Sequence, residues 1–320
     1  MDLYASIYDL LLNFPLVKSW PEMRHLLQCS SGRKPRNWQL PVTACKAVGG
    51  NVEQALPVAA AIACLQISII LIDDMLDDDP RGEYHCLGEA ATANMAAAFQ
   101  AIGLQVIMAA DSLKPSTKQA ITQSLNQMVL TIASGQYLDA QNPVDEAGYW
   151  HLVKTKSAPF FGTALQVGAL SGLTTSADSP AALQLRRLGE LYGEMIQIHD
   201  DLSDAMAQPA NSDWLLGRSP LPILFAKSVN HPHQAQFRDL CNTITEPPSL
   251  AEAQSILIHC GAVSYCIDQL ICRYQQAKEL LIQMSLSYKT ELTELLTGVI
   301  EPVRQMFHVL GEEPVLPITM

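Results

Sequence analysis

The sequence predicts an all-α protein. Three observations carry this. Long segments are built from strong helix formers with apolar residues near a 3.6 period. No run of alternating β-branched residues stands between hairpin turns. Proline marks the breaks, at Pro115, Pro143, Pro180, in the 209–211 stretch and at Pro247 and Pro248.

Taken in order, the first fifteen residues carry Asp2 and Asp9 and no basic group, so a cleaved signal peptide is not expected. Residues 56–72, LPVAAAIACLQISIILI, form the most apolar run. At 17 residues it sits at the short limit for a membrane span, it contains Pro57, Gln66 and Ser68, and it leads straight into aspartates. A buried core helix is the expectation, with no integral membrane segment. Residues 88–110 are rich in Ala, Met, Gln and Leu. Residues 117–138 place Ile121, Leu125, Met128, Ile132 and Tyr137 near the helical period, and 183–202 and 262–284 behave alike. There is no internal repeat, no GxGxxG and no P-loop. No linker demands a boundary, so 1–320 reads as one domain.

Lys and Arg total 20 against 32 Asp and Glu, a net charge of −12. Such a chain lacks the broad basic surface that phosphate backbones need, so nucleic acid is not an expected partner. Hydrophobic residues make up 48% and charged residues 16%, which excludes a disordered chain and predicts a large core. The eight cysteines include no CxxC pair, and the six-residue spacing of Cys260, Cys266 and Cys272 is not a zinc spacing. Reduced, mostly buried thiols in a cytoplasmic protein are the expectation.

The chemistry is concentrated in two places. In Asp73-Asp74-Met75-Leu76-Asp77-Asp78-Asp79, five of seven consecutive residues are Asp. If the helix continues, Asp73 and Asp77 share a face, as do Asp74 and Asp78. Each like-charge i,i+4 pair costs a helix roughly 0.2–0.5 kcal/mol. The helix C-terminus disfavours anions, and Asp is a poor helix former. A bound cation would repair all three faults. A second apolar helix ends in His199-Asp200-Asp201-Leu202-Ser203-Asp204. One acidic run alone is most simply a solvated helix end. Two such runs, each behind an apolar helix and about 120 residues apart, point to metal and phosphate. If the two helices are neighbours, their carboxylates can face each other across a cavity. Mg2+ suits such a set, because it takes few carboxylates, keeps waters and bridges to substrate phosphates. A di-iron bundle would need Glu-x-x-His pairs, which are absent.

At these residues the sequence resembles the trans-isoprenyl diphosphate synthases, or polyprenyl synthetases. DDMLDDDPRG and QIHDDLSD look like the family's two aspartate-rich motifs. GQYLD at 135–139, KTKSA at 154–158 and GRSPLP at 217–222 resemble further family motifs, in family order, with Pro159 placed to kink the helix that carries KTKSA. Lys34 and Arg36 lie near the place of an upstream basic motif, and Gln66 falls where the family has His or Gln.

The resemblance implies an isoprenoid synthase-type helical bundle around a central cavity, usually as a homodimer. It implies Mg2+-dependent ionisation of an allylic diphosphate and head-to-tail attack by isopentenyl diphosphate, with three Mg2+ per active site. Asp73, Asp74, Asp77, Asp200 and Asp204 would hold metal. Asp73, Asp77, Lys154 and Asp200 would be catalytic. Lys34, Arg36, Gln66, Arg81, Lys154, Thr155, Gln197 and Arg218 would bind substrate. Leu65, Ser68 and Ile69, on the helix before Asp73, would set chain length. None of the three is aromatic, so a farnesyl- or geranylgeranyl-length product is expected.

The family's Arg-Arg-Gly is reduced here to Arg81-Gly82, and Asn37-Trp38 stand in place of its upstream Arg-Pro. The ionising residues match while the isopentenyl diphosphate side is altered. That leaves two alternatives open, a terpene cyclase on the same fold and a weakly active regulatory subunit of a prenyl synthase.

Overall fold

The structure is a computed structural model that describes residues 2–139, 142, 145–173 and 179–309, with no strand among them. The helices of eight or more residues are α1 (Leu3–Leu12), α2 (Pro21–Gly32), α3 (Leu40–Ala47), α4 (Val52–Leu76), α5 (Glu89–Ala109), α6 (Pro115–Asp139), α7 (Glu146–Lys156), α8 (Ala158–Gly172), α9 (Pro180–Ala205), α10 (Leu221–Ser228), α11 (Pro247–His259), α12 (Ala262–Gln283) and α13 (Thr290–Val309). The all-α expectation is borne out, and the four sequence-read segments 88–110, 117–138, 183–202 and 262–284 became α5, α6, α9 and α12.

The chain divides into two compact units. The first holds residues up to 131, 160–189 and 283–292, and the second holds the rest. In the first unit α4 packs against α1, α3 and α5. It opens on a capping box: Asn51 Oδ1 accepts from the Gln54 backbone N–H, and Gln54 Oε1 accepts from that of Asn51, both at 3.0 Å. Ile7, Leu11, Met23, Leu27, Trp38 and Phe99 close the core around it. By length and composition alone α4 and α5 could each cross a bilayer; α4 buries most of its apolar window inside this unit.

The second unit has its own core, with Trp214, Ile223, Phe237, Ala253 and Leu257 buried together. Polar side chains of Trp214 and of Gln254 on α11 hold the end of α9. Trp214 Nε1 donates to the Ala205 carbonyl at 3.1 Å, and Gln254 Nε2 donates to the carbonyls of Ala205 and Ala207.

Three local expectations differ from what is observed. On α6, Ile121, Leu125, Met128 and Ile132 are buried, but Tyr137 is 72% exposed. The buried stripe continues instead through Gly135. Pro159 does not kink a continuous helix; α7 stops at Lys156, Ser157 caps it, and α8 begins at Ala158. All eight cysteines are free, but only Cys45, Cys64 and Cys266 are buried.

Candidate active site

In the first unit, Asp73 and Asp74 occupy the last turn of α4, and the Asp77 N–H closes it on the Asp73 carbonyl at 2.9 Å. The helix ends there, so the later aspartates fall in a tight loop. Asp78 adopts a positive φ of 51°, and its carboxylate accepts from Tyr84 Oη at 2.8 Å. Asp79 accepts from Arg81 three times, from the backbone N–H at 2.8 Å, Nε at 3.0 Å and Nη2 at 2.7 Å. This pairing holds the Asp79 carboxyl below its usual range. Gly82 lets the loop fold back, because a Cβ there would lie 2.5 Å from the Tyr84 ring and 3.1 Å from Asp74 Cβ. Asp74 is pushed up to about 6, first by burial and then by the charges of Asp79, Asp73 and Asp77, with Arg81 opposing.

The other residues singled out in this unit stand as follows. Lys34 pairs with Asp2 at 2.9 Å, and Arg36 lies exposed in a single 3-10 turn. Arg81 is 88% exposed while it grips Asp79. Leu65 and Ser68 are fully buried on α4, and Ile69 is partly buried. Gln66 Oε1 and Ser68 Oγ are buried without a hydrogen-bond partner among the described residues.

In the second unit the three aspartates of α9 separate by helical phase. Asp200 keeps 60% of its side chain open, with His199 Nδ1 at 3.6 Å, and Asp204 is exposed. The protein around it nevertheless raises the Asp200 pKa, with Asp204 adding and His199 opposing. Asp201 turns inward and is 4% exposed. It accepts from Tyr149 Oη at 2.7 Å, Gln197 Nε2 at 2.7 Å and the Leu221 backbone N–H at 2.8 Å. Burial pushes it up to about 6 against the pull of these donors.

The Lys-Thr segment lies on α7. Gly135 allows α6 to run against it, since a Cβ there would come 2.6 Å from backbone atoms of Thr155 and Lys156. Lys156 pairs with Asp139, the last residue of GQYLD. Thr155 Oγ1 donates within its own helix to His151 and Leu152 carbonyls, and Lys154 is exposed. The Gln197 amide is engaged at both ends, accepting from Ser157 Oγ and donating to Asp201. Arg218 lies 3.8 Å from Asp213 and donates its backbone N–H to the Asp213 carbonyl at 2.8 Å.

Among the described residues no three His, Cys, Asp or Glu side chains converge into a ready metal cage. The donor chemistry still fits a hard divalent ion. Asp74 is destabilised as an anion by burial first and then by Asp79, Asp73 and Asp77, with Arg81 acting against them. Such oxygen donors suit an ion that completes its shell with water and substrate phosphate.

A sequence profile of the polyprenyl synthetase family matches residues 22–257. The chain belongs to this family. A short chain isoprenyl diphosphate synthase of Methanothermobacter thermautotrophicus is 28% identical over 277 residues, 80% of this chain and 81% of that protein. A geranylgeranyl diphosphate synthase of Methanosarcina mazei is 25% identical over 255 residues, 74% and 76% of the two chains. The crystal structure of a geranylgeranyl pyrophosphate synthetase from Pyrococcus horikoshii superposes with a TM-score of 0.79 at 18% identity, over 94% of this chain and 95% of that one. Homologues and fold are those of trans-polyprenyl diphosphate synthases, which are prenyltransferases. The resemblance seen in the motifs is thereby borne out.

Sequence reasoning missed the two residues at the centre of the second unit's polar network. Asp201 lay inside a recognised motif, but its inward direction depends on helical phase. Tyr149 belongs to no motif; the available signal was its place four residues before Val153, on the buried stripe of α7.

Proposed function

We propose that this chain condenses isopentenyl diphosphate with an allylic diphosphate, head to tail, to give a diphosphate of farnesyl or geranylgeranyl length, with Mg2+ as cofactor. The observation that carries the reading is the crowd of carboxylates at the end of α4, where burial first, and then the charges of Asp79, Asp73 and Asp77, push Asp74 up to about 6. The names of the two relatives support the substrate class.

In this reading Asp73, Asp74 and Asp77 hold metal in the first unit, and Asp200 with Asp204 does so in the second. When bound, Mg2+ neutralises charge on the departing pyrophosphate. Lys154 and Arg218 add cationic donors for phosphate oxygens, and Thr155 a hydroxyl. The allylic C–O bond breaks and releases pyrophosphate, the isopentenyl double bond attacks the allylic cation, and one proton passes to the released pyrophosphate. Apolar α4 residues, Leu65 and Ile69 beside Ser68, shelter the growing chain and keep water from the cation. The same reading takes both units as one catalytic domain, working as a cytoplasmic homodimer without nucleic acid or a membrane span.

One observation favours a second reading. Lys34 and Arg81, basic residues expected on the isopentenyl side, are engaged by Asp2 and Asp79. A terpene cyclase needs no such site, and neither does a subunit that only regulates a synthase. The test is incubation with Mg2+, labelled isopentenyl diphosphate and dimethylallyl, geranyl or farnesyl diphosphate, with mass analysis of products. Label in a longer diphosphate is the expected result. A hydrocarbon or alcohol from the allylic substrate alone would favour the cyclase, and no product at all would favour the subunit.

A further inference from the structure

Asp201 sits in the middle of an aspartate-rich run, yet its surroundings are those of an anchor. Its two oxygens serve three donors from different elements: Tyr149 of α7, Gln197 of α9 and the first backbone N–H of α10. Gln197 accepts in turn from Ser157, which caps the C-terminus of α7. Helix α7 is therefore fastened to one carboxylate at both Tyr149 and Ser157. Lys154 and Thr155 lie between the two fastenings. Lys156 adds a third tie, to Asp139. At 100° per residue, Tyr149, Val153 and Lys156 share the held face, and Lys154 stands roughly 140° round from Tyr149, on the open side. On α9 the same arithmetic places Asp200 and Asp204 together, i,i+4, on the exposed side when Asp201 is fixed inward.

We infer that Asp201 and Tyr149 are positioning residues for prenyl transfer, which set Lys154 and Thr155 in place against Asp200 and Asp204. The inference rests on the roles proposed above for Lys154 and Asp200. The bonding has a direction: Ser157 donates to Gln197, Gln197 donates to Asp201, and Asp201 only accepts. An Asn at 201 offers an NH2 where an acceptor is needed, so the relay must break or reverse. A Phe at 149 keeps the ring and removes one donor only.

The test uses the full chain as wild type, Tyr149→Phe, Asp201→Asn, Lys154→Met and the Tyr149→Phe/Lys154→Met double variant. Three quantities are read: the ligand-free Tm, the rise in Tm caused by Mg2+ with inorganic pyrophosphate, and kcat and KM for prenyl transfer. Tyr149→Phe is expected to lower kcat about 10- to 100-fold, the range for partners that orient a first ligand, with KM for isopentenyl diphosphate within about 3-fold. The pyrophosphate-induced Tm rise should fall by at least about half. In the double variant Tyr149→Phe should add little to Lys154→Met, because both act through one group. Full additivity, a wild-type kcat, or a loss of activity that merely follows a loss of ligand-free Tm would overturn the inference. Should Asp201→Asn fail to fold, Tyr149→Phe decides. Wild type that binds magnesium pyrophosphate but forms no prenyl product sinks the proposed reaction alone, and the Tm rises of the variants then judge the positioning role. Wild type that does neither overturns both.

Discussion

The two aspartate-rich helix ends use the same residue type in opposite ways. The α4 helix ends within its cluster, at Leu76, so the remaining aspartates fall into a loop that Tyr84 and Arg81 hold in shape. There the carboxylates crowd one another, and Asp74 carries the electrostatic strain. Helix α9 instead runs past its cluster to Ala205, and its periodicity sorts the residues: Asp201 goes inward to three donors, and Asp200 and Asp204 stay in the open. Aspartates of one motif thus divide into one that organises protein and two that stay at the surface. Where the helix stops decides which pattern results.

The largest expected effect separates neighbours on α9. Asp200→Asn should cut turnover at least about 100-fold while leaving the Tm close to wild type, because an exposed side chain holds little of the fold together. Asp201→Ala should do the reverse to stability. It leaves the Tyr149 hydroxyl, the Gln197 amide and the Leu221 N–H without their acceptor, a loss of about 3 kcal/mol and about 6 °C in Tm by circular dichroism. Equal Tm values for the two variants would erase the distinction drawn above.

Next is Gly135→Ala. Its new Cβ meets the α7 backbone at 2.6 Å, so α6 and α7 must move apart. A destabilisation of about 2 kcal/mol is expected from denaturant unfolding, together with reduced turnover. An unchanged midpoint would show that the close approach is not needed.

The smallest effect concerns pH at the α4 cluster. Asp74 has a folded pKa of about 6 against 3.8 ordinarily, so folding favours its protonated form. The stability that protonation contributes is fully present below about pH 4 and is lost as pH rises through about 6. Asp74→Asn, measured in EDTA, should therefore be more stable than wild type at pH 8. After discounting for partial exposure the gain is about 1 kcal/mol, or about 2 °C, and it should fade toward pH 4. A gain that grows on acidification would contradict the crowding argument.

Much of the fold was legible because helix formers, periodicity and proline breaks agree locally. Tyr137 was misplaced by phase: five residues beyond Ile132 it stands roughly 140° round the helix, and the 3.6 period continues at Gly135, where α7 passes. The aspartate clusters were legible, since charge density along one helix is a sequence property. Pairings across distance were not. Lys34 with Asp2, Lys156 with Asp139 and Tyr149 with Asp201 join positions that only folding brings together. Gln197 was read as a group for substrate, and its chemistry allowed either use; Ser157 and Asp201 now engage both ends of its amide.

The central claim is that these carboxylates act through magnesium. Its most direct test is the rate of label transfer from isopentenyl diphosphate to an allylic primer, measured against free Mg2+ for wild type and Asp73→Asn. The account predicts no transfer in EDTA, recovery at millimolar Mg2+ on the order of 1 mM, and a loss of at least about 100-fold in the variant. A wild-type rate that persists in EDTA, or an Asp73→Asn variant as fast as wild type, would contradict it.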